Sequence, residues 1–305
     1  MDSSYPFVLA DVFTDKIFGG NQLAVVTDAR GLSSAQMQAI AHEFNFSETT
    51  FVLPAQGASG RHVIRIFTPQ AELPFAGHPT IGTAAVLSFL KLAPAPDTHG
   101  TVIYEEAVGP IAVRVEPARG RTVLAEFEIA APLESRPGPN LSDLAQAAGV
   151  PPSAVREAWC AGIGIHFCFV HLTDEGAVDA AAIDAKLWQA MVANGCAPQA
   201  FLFCGDFTDG GTLYARMLAP ALGIAEDPAT GSACVALVGS LAQRSPRADG
   251  ILGLTIRQGV AMGRPSLLKA YAHRLAGRTQ HLRLRGSSVI VAEGSITVEK
   301  ILIEP

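Results

Sequence analysis

Three side chains able to move a proton stand beside two glycine-flanked segments of this sequence: Glu48 in FNFSETTF, His78 directly after Gly77, and Asp227 in EDPATG. A carboxylate or imidazole placed against a reacting group contributes about 10²–10⁴ in rate, and a carboxylate does so best when burial lifts its pKa toward the working pH. Glu48 fits that need. It lies between the amphipathic stretch LSSAQMQAIAHEF and the apolar run FVL, where an unpaired charge is costly. Each residue also has a plain structural reading: Glu48 suits a surface turn or a cap, Asp227 before Pro228 suits a turn or helix cap, and His78 before Pro79 suits a hydrogen-bonded histidine with no part in proton transfer.

The glycine segments, GHPTIGTAAV and TGSACVAL, read as helix starts at Gly77 and Gly231. Backbone N–H groups at such a start favour an anion by roughly 0.3–2 kcal/mol, and small side chains let a ligand approach. Gly77, Gly82 and Gly231 taken singly equally permit tight turns and close packing. As a matching pair, the two starts point to a small acid as substrate. Neither carries the Gly-Lys-Ser of a phosphate-cradling loop, so nucleoside triphosphates are not suggested.

The elements that must position these groups occur twice. Phe51 to Leu90 and Phe201 to Leu241 share one order of parts: an apolar strand, a turn, a second strand ending Arg-x-x-x-Pro (Arg65 to Pro69; Arg216 to Pro220), an acidic loop, a glycine and an apolar helix. Upstream, GGNQLAVVTD before LSSAQMQAIAHEF matches GIGIHFCFVHLTD before AAIDAKLWQAMVA; downstream, YEEAVGPIAVRVE and RTVLAEFEI match IRQGVAMGRPSLLKA and TQHLRLRG. Two units follow. The first is assigned to residues 1–130, with the strand-like tail 289–305 returning to it. The second is assigned to 131–288, with Pro-rich APLESRPGPN and a short helix around Leu141 to Ala148 as the joint.

Composition agrees with an ordinary globular chain of 305 residues, 49% hydrophobic and 16% charged, long enough for two cores. The formal charge of −6 gives no broad footprint for nucleic acid. One basic stretch, from Arg257 through Arg264, Lys269, Arg274, Arg278 and Arg283 to Arg285, alternates with apolar residues and reads as solvated strand faces, with a patch for an anionic partner as the alternative. Cys160, Cys168, Cys196, Cys204 and Cys234 show neither a CxxC nor a zinc spacing, and His42, His62 and His166 show no metal spacing, so reduced core thiols and no metal are expected. The first residues, MDSSYPFVLADVF, lack a basic region followed by a long apolar run, and no apolar stretch reaches the ~18 residues of a membrane span; a cytoplasmic protein without membrane partner is expected.

In order along the chain, GGNQLAVV, NFSETTFV, RIFTPQAELPFAGHPTIG, EDPATGSA and GVAMGRPS resemble the signatures of the PhzF family of phenazine biosynthesis, over nearly the whole sequence. The resemblance implies an α+β fold of two pseudo-symmetric diaminopimelate epimerase-like domains, each a curved, mostly antiparallel sheet around a central helix, with the active site between them. It implies a homodimer and an isomerase that needs neither metal nor organic cofactor. It also implies that Glu48 is the acid and base moving a proton between two carbons, that His78 and Asp227 help hold the substrate and adjust the proton balance, and that Ser47, Gly77, Gly231 and Ser232 bind substrate. Racemases of that fold carry a cysteine at each helix start; here Ala76 and Thr230 stand in those places, which speaks against two-thiol epimerisation. Gln22 replaces a proline common in the family's Gly-Asn-Pro-Leu motif. Two other readings stay open: a racemase or epimerase using Glu48 with Asp227 or His78 as opposed bases, and a small-acid binding protein that has lost the chemistry.

Overall fold

The computed structural model describes residues 3–55, 61–130, 132–220 and 223–299. The expected turn at 56–60 and the end of the expected tail strand lie outside them. By contact density the chain forms two compact units: one runs to Phe127 and resumes at Gly286, the other is Glu128–Arg285.

The first unit is built in the order β1 (Ser3–Val12), β2 (Asn21–Val26), α1 (Ser34–Phe44), β3 (Glu48–Leu53), β4 (Val63–Phe67), β5 (Glu72–Leu73), α2 (Gly77–Phe89), β6 (Thr101–Glu106), β7 (Gly109–Val115) and β8 (Thr122–Ile129). β1 pairs antiparallel with β2, β2 parallel with β3, β3 antiparallel with β4, β4 parallel with β6, and β6 antiparallel with β7. The parallel steps are the places where a helix or long loop intervenes, since parallel strands cannot be joined by a tight turn. α2 is apolar on every side and buried from Gly77 to Leu87, the pattern of a helix enclosed by its sheet. α1 covers the other face, setting Met37, Ile40 and Ala41 against Val26, Phe51 and Phe67.

The second unit continues with β9 (Glu134–Pro137), α3 (Leu141–Ala147), β10 (Val155–Ile163), β11 (Ile165–Leu172), α4 (Glu175–Ala180), α5 (Ala185–Ala193), β12 (Gln199–Gly205), β13 (Thr212–Ala219), β14 (Ile224–Asp227), α6 (Gly231–Arg244), β15 (Gly250–Gln258), β16 (Ser266–Leu275) and β17 (Arg278–Val298). Its pairings repeat those of the first: β10 antiparallel to β11, β11 parallel to β12, β12 antiparallel to β13, β13 parallel to β15, β15 antiparallel to β16. α6 is the counterpart of α2, buried from Ala233 to Ala242. α3, α4 and α5 do the work of α1, packing Leu144, Val178 and Trp188 into one apolar cluster with Val170, Ala200 and Leu202.

One stretch differs from the reading of the sequence, and the tail pairs with the first unit as expected. APLESRPGPN is more than a linker, because its ESRP segment forms β9 and pairs with β10 through Ser135↔Ala161 and Arg136↔Cys160; Pro137 is tolerated because it closes a short strand. The tail is one long strand with the hairpin before it: β17 pairs with β16 as far as Arg285, and from Ser288 onward with β1, ending at Val298↔Ser3. The basic stretch does alternate with apolar residues, Leu268, Ala270 and Ala272 turned inward while Lys269 is exposed and Arg283 stacks its guanidinium over Tyr271.

Candidate active site

Glu48 opens β3. α1 ends at Asn45, whose left-handed backbone (φ 51°) closes the last turn through its N–H to the Ala41 carbonyl; the chain then reverses and sets Glu48 beside Leu23 of β2. His78 is the second residue of α2, and its Nε2 lies 3.4 Å from Glu48 Oε2, with side chains 6% and 17% exposed. Burial pulls the imidazole pKa down to about 3, against a hydrogen bond to the Gln22 backbone that opposes the shift. A backbone group that raises an imidazole pKa is a carbonyl accepting its N–H, and Nε2 is turned to Glu48, so the network assigns the ring hydrogen to Nδ1. The Nε2 lone pair therefore lies near the carboxyl group at 3.4 Å without an aligned hydrogen bond. Gln22 acts here through its carbonyl, so the replacement of a proline at that position leaves the contact intact.

Among the described residues, every other α-helix start is closed by a side chain: Ser33 in a capping box with Gln36 at α1, Asn140 at α3, Asp174 at α4 and Asp184 at α5. At α2 and α6 no side chain caps the helix. The first turns at Gly77 and Gly231, both buried, thus lack an acceptor from the N-cap side chain, as do helix starts that take anions. Ser47, next to Glu48, is exposed, and Ser232 is part-buried one residue into α6. Gly82, the other glycine of α2, serves packing: a Cβ there would lie 2.5 Å from Leu23 Cδ2 and 2.6 Å from Val12 Cγ2.

In the second unit Asp227 ends β14, buried, and accepts the Thr230 hydroxyl at 2.5 Å. Gln258, at the end of β15, locks this loop with three hydrogen bonds. Its amide nitrogen donates to the Asp227 carbonyl (2.8 Å) and to Thr230 Oγ1 (2.9 Å), and its oxygen accepts the Thr230 N–H (3.1 Å). Gly259 follows at φ +71°, where a Cβ would strike the carbonyls of Arg264 and Pro228 at 2.4 and 2.6 Å. Thr230, which stands where a racemase thiol would be, has its hydroxyl committed to Asp227.

Within the first unit, then, Glu48 and His78 meet beside the start of α2; within the second, Asp227 meets the start of α6. The reading of the sequence missed Gln258, although it directly precedes the quoted GVAMGRPS. It also missed a device repeated in both units: Arg65 grips Glu72 in a two-pronged pair (2.7 and 2.6 Å) and Arg216 grips Glu226 likewise (3.1 and 2.8 Å), each tying the second strand of the hairpin to the short strand before the helix start. The signal was the repeated arginine followed seven or ten residues on by a glutamate. The five cysteines are free and buried. Among the described residues, one group has the makings of a metal site: Cys160, Cys168 and Cys196, whose sulfurs lie within 4.8 Å of one another inside the apolar cluster of the second unit. Cross-strand pairing of Cys160 with Cys168 brings them together, which linear spacing hides.

This mostly-sheet fold is shared with solved structures. A PhzF-family phenazine biosynthesis protein of Bacillus anthracis superposes with a TM-score of 0.82 at 19% identity, covering 97% of this chain and all of the other. A hydroxyproline epimerase of Agrobacterium vitis has the same fold at 13% identity with a TM-score of 0.63. The family profile described as phenazine biosynthesis-like protein (PhzC-PhzF) matches residues 10–294, and the chain belongs to that family. Its relatives are isomerases, and so is this protein: an isomerase of Mesorhizobium japonicum is 34% identical, over 96% of this chain and 98% of its own. The trans-2,3-dihydro-3-hydroxyanthranilate isomerase of Pseudomonas chlororaphis is 35% identical, over 96% and 99%. No helix among the described residues is long and apolar enough to cross a membrane.

Proposed function

We propose that the chain isomerises a small amino- or carboxylic-acid-bearing metabolite without metal or organic cofactor, with Glu48 as the group that removes a proton and returns it. The observation that carries this reading is the Glu48 carboxyl group facing the neutral His78 Nε2 at 3.4 Å, beside the uncapped start of α2. In the forward step the ionised Glu48 takes a hydrogen from a carbon next to the substrate's acid, amine or double bond; the electron pair delocalises into the conjugated system and Glu48 becomes neutral. Neutral Glu48 then returns that proton to a second carbon, and the double bond shifts. No electrons enter or leave. His78 accepts a hydrogen bond from Glu48 while it carries the proton, which steadies the intermediate state without taking the proton away, because its own basicity is so low. In the first unit Gly77 offers a backbone N–H group and Ser47 a hydroxyl to a substrate's polar groups; in the second, Gly231, Ser232 and Asp227 offer groups of the same kinds. The named substrate of the Pseudomonas relative, trans-2,3-dihydro-3-hydroxyanthranilate, is an acid of this class and is the first compound to try, ahead of a panel of cyclic and acyclic amino acids.

The test is Glu48→Gln, which keeps size and hydrogen-bonding while abolishing proton exchange. Turnover should fall about 10³-fold or more while binding of the acid survives. In heavy water a single shuttling base retains part of the original hydrogen in product, whereas two opposed bases label the inverted carbon fully. Full labelling, or turnover unaffected by the substitution, would remove Glu48 from the role; equal inactivity of both proteins across the panel, with binding, would make this a small-acid binder.

A further inference from the structure

Glu106 ends β6 with its side chain turned into the first unit, 6% exposed. Its Oε1 lies 2.7 Å from Thr80 Oγ1, and the same hydroxyl oxygen lies 2.8 Å from the carbonyl of Ala76, the residue at which α2 begins. A threonine hydroxyl has one hydrogen. If Glu106 were ionised, both neighbours would be acceptors only, and one of these two short contacts would set lone pair against lone pair. Both are satisfied together when Glu106 is a neutral acid: it donates to Thr80, and Thr80 donates to Ala76. The backbone N–H of Thr80 reaches the same carbonyl only at 3.3 Å, so the hydroxyl is its nearer donor.

Among the described residues, no charged group acts on Glu106 to hold it ionised. On β6 the inward neighbour is Tyr104, whose hydroxyl burial pushes well above the usual range. β7 sets Gly109 opposite Glu106, and β4 sets Val63 opposite Glu105. Arg61 is taken by Glu105 and Arg65 by Glu72. On α2 the titratable group is His78, itself neutral. Glu106 Oε2 has no hydrogen-bond partner among the described residues, which a neutral acid tolerates far better than a carboxylate. Burial accordingly pushes the carboxyl pKa up to about 7.

We propose that Glu106 is a positioning residue: as a neutral acid it ties the end of β6, through Thr80, to the Ala76 carbonyl and so fixes the start of α2 that presents Gly77 and His78, and loss of its proton undoes that tie. The functional consequence rests on the reading of Gly77 and His78 as site residues, but the tie itself can be read without any substrate.

The experiment follows the backbone amide resonances of Gly77 and His78 in the full-length protein, labelled with ¹⁵N-glycine and ¹⁵N-histidine, from mildly acid to mildly alkaline pH. In the wild type both should shift along one titration curve. In Glu106→Gln, whose amide donates to Thr80 as the acid does and cannot ionise, the curve should vanish. In Thr80→Val it should be lost from Gly77 and His78, and Thr80→Ser should restore it. Turnover on whichever acid the enzyme accepts should drop about tenfold one pH unit above the wild-type midpoint, and this alkaline loss should be absent in Glu106→Gln. Wild-type resonances that do not titrate, or a curve that persists in Glu106→Gln or Thr80→Val, overturn the proposal. Absence of turnover on every acid, with the titration behaving as described, strikes the functional reading and leaves the positioning role standing.

Discussion

His78 is the residue whose chemistry the structure defines most closely. A surface imidazole titrates near 6.5, but this one is enclosed on α2, and burial outweighs the opposing hydrogen bond to the Gln22 backbone, so it stays neutral down to about 3. On the proposed mechanism, an imidazole that stays neutral in the working range serves as an acceptor toward Glu48. Ring ¹⁵N resonances of His78 should therefore report the Nδ1–H tautomer unchanged from neutral pH down to about pH 5, where an unperturbed histidine is almost wholly protonated. A ring that titrates near 6.5, or that carries its hydrogen on Nε2, would reverse the roles of the pair and leave Glu48 ionised against an imidazolium.

At the scale of elements, the two units use one plan: a hairpin whose second strand carries an arginine, a short strand whose glutamate that arginine grips, and a helix that begins without a cap. In the second unit Gln258 completes the plan by bonding both sides of the turn from Asp227 to Thr230. Gln258→Met keeps the length of the side chain and removes all three bonds, leaving a buried N–H and carbonyl without partners. The second unit should lose roughly 2–4 kcal/mol in denaturant unfolding, and substrate affinity should weaken while Glu48 keeps its proton chemistry. An unchanged midpoint would show that water or a shifted loop takes over the bonds. Much of this plan was legible in the sequence. The doubled order of strand, strand, arginine, glycine and helix, the helix starts at Gly77 and Gly231, and the α1 stretch LSSAQMQAIAHEF all announce themselves through period and punctuation. Gln258 and Glu106 did not, because a polar residue on an alternating strand looks the same whether it faces water or a buried helix. The thiol trio was hidden because Cys196 comes from a turn 28 residues beyond Cys168, and β9 because a proline-rich segment ordinarily signals a linker.

On the scale of the whole molecule, His78 and Glu106 make opposite demands on pH, and their balance can be worked out. His78 has its folded pKa depressed from 6.5 to about 3, so the unfolded chain binds the extra proton between those values and stability is lost as pH falls through that window. Glu106 has its folded pKa raised from 4.5 to about 7, so there the folded chain holds the extra proton, and stability is lost as pH rises from 4.5 toward 7. Between about 4.5 and about 6.5 the two slopes cancel, one proton against one proton; below that range the histidine's loss dominates, and above it the acid's. The wild-type first unit should thus show a plateau with a shoulder on each side as far as these groups govern it. Glu106→Gln removes one arm. Relative to wild type, the variant should gain about 3 kcal/mol as pH goes from about 4.5 to about 7, a slope near 1.4 kcal/mol per unit that urea unfolding at a series of pH values resolves readily. A stability difference between the two proteins that stays constant across this range would mean that Glu106 is ionised in the fold, and with it the hydrogen-bond chain from β6 to the start of α2 would lose its direction.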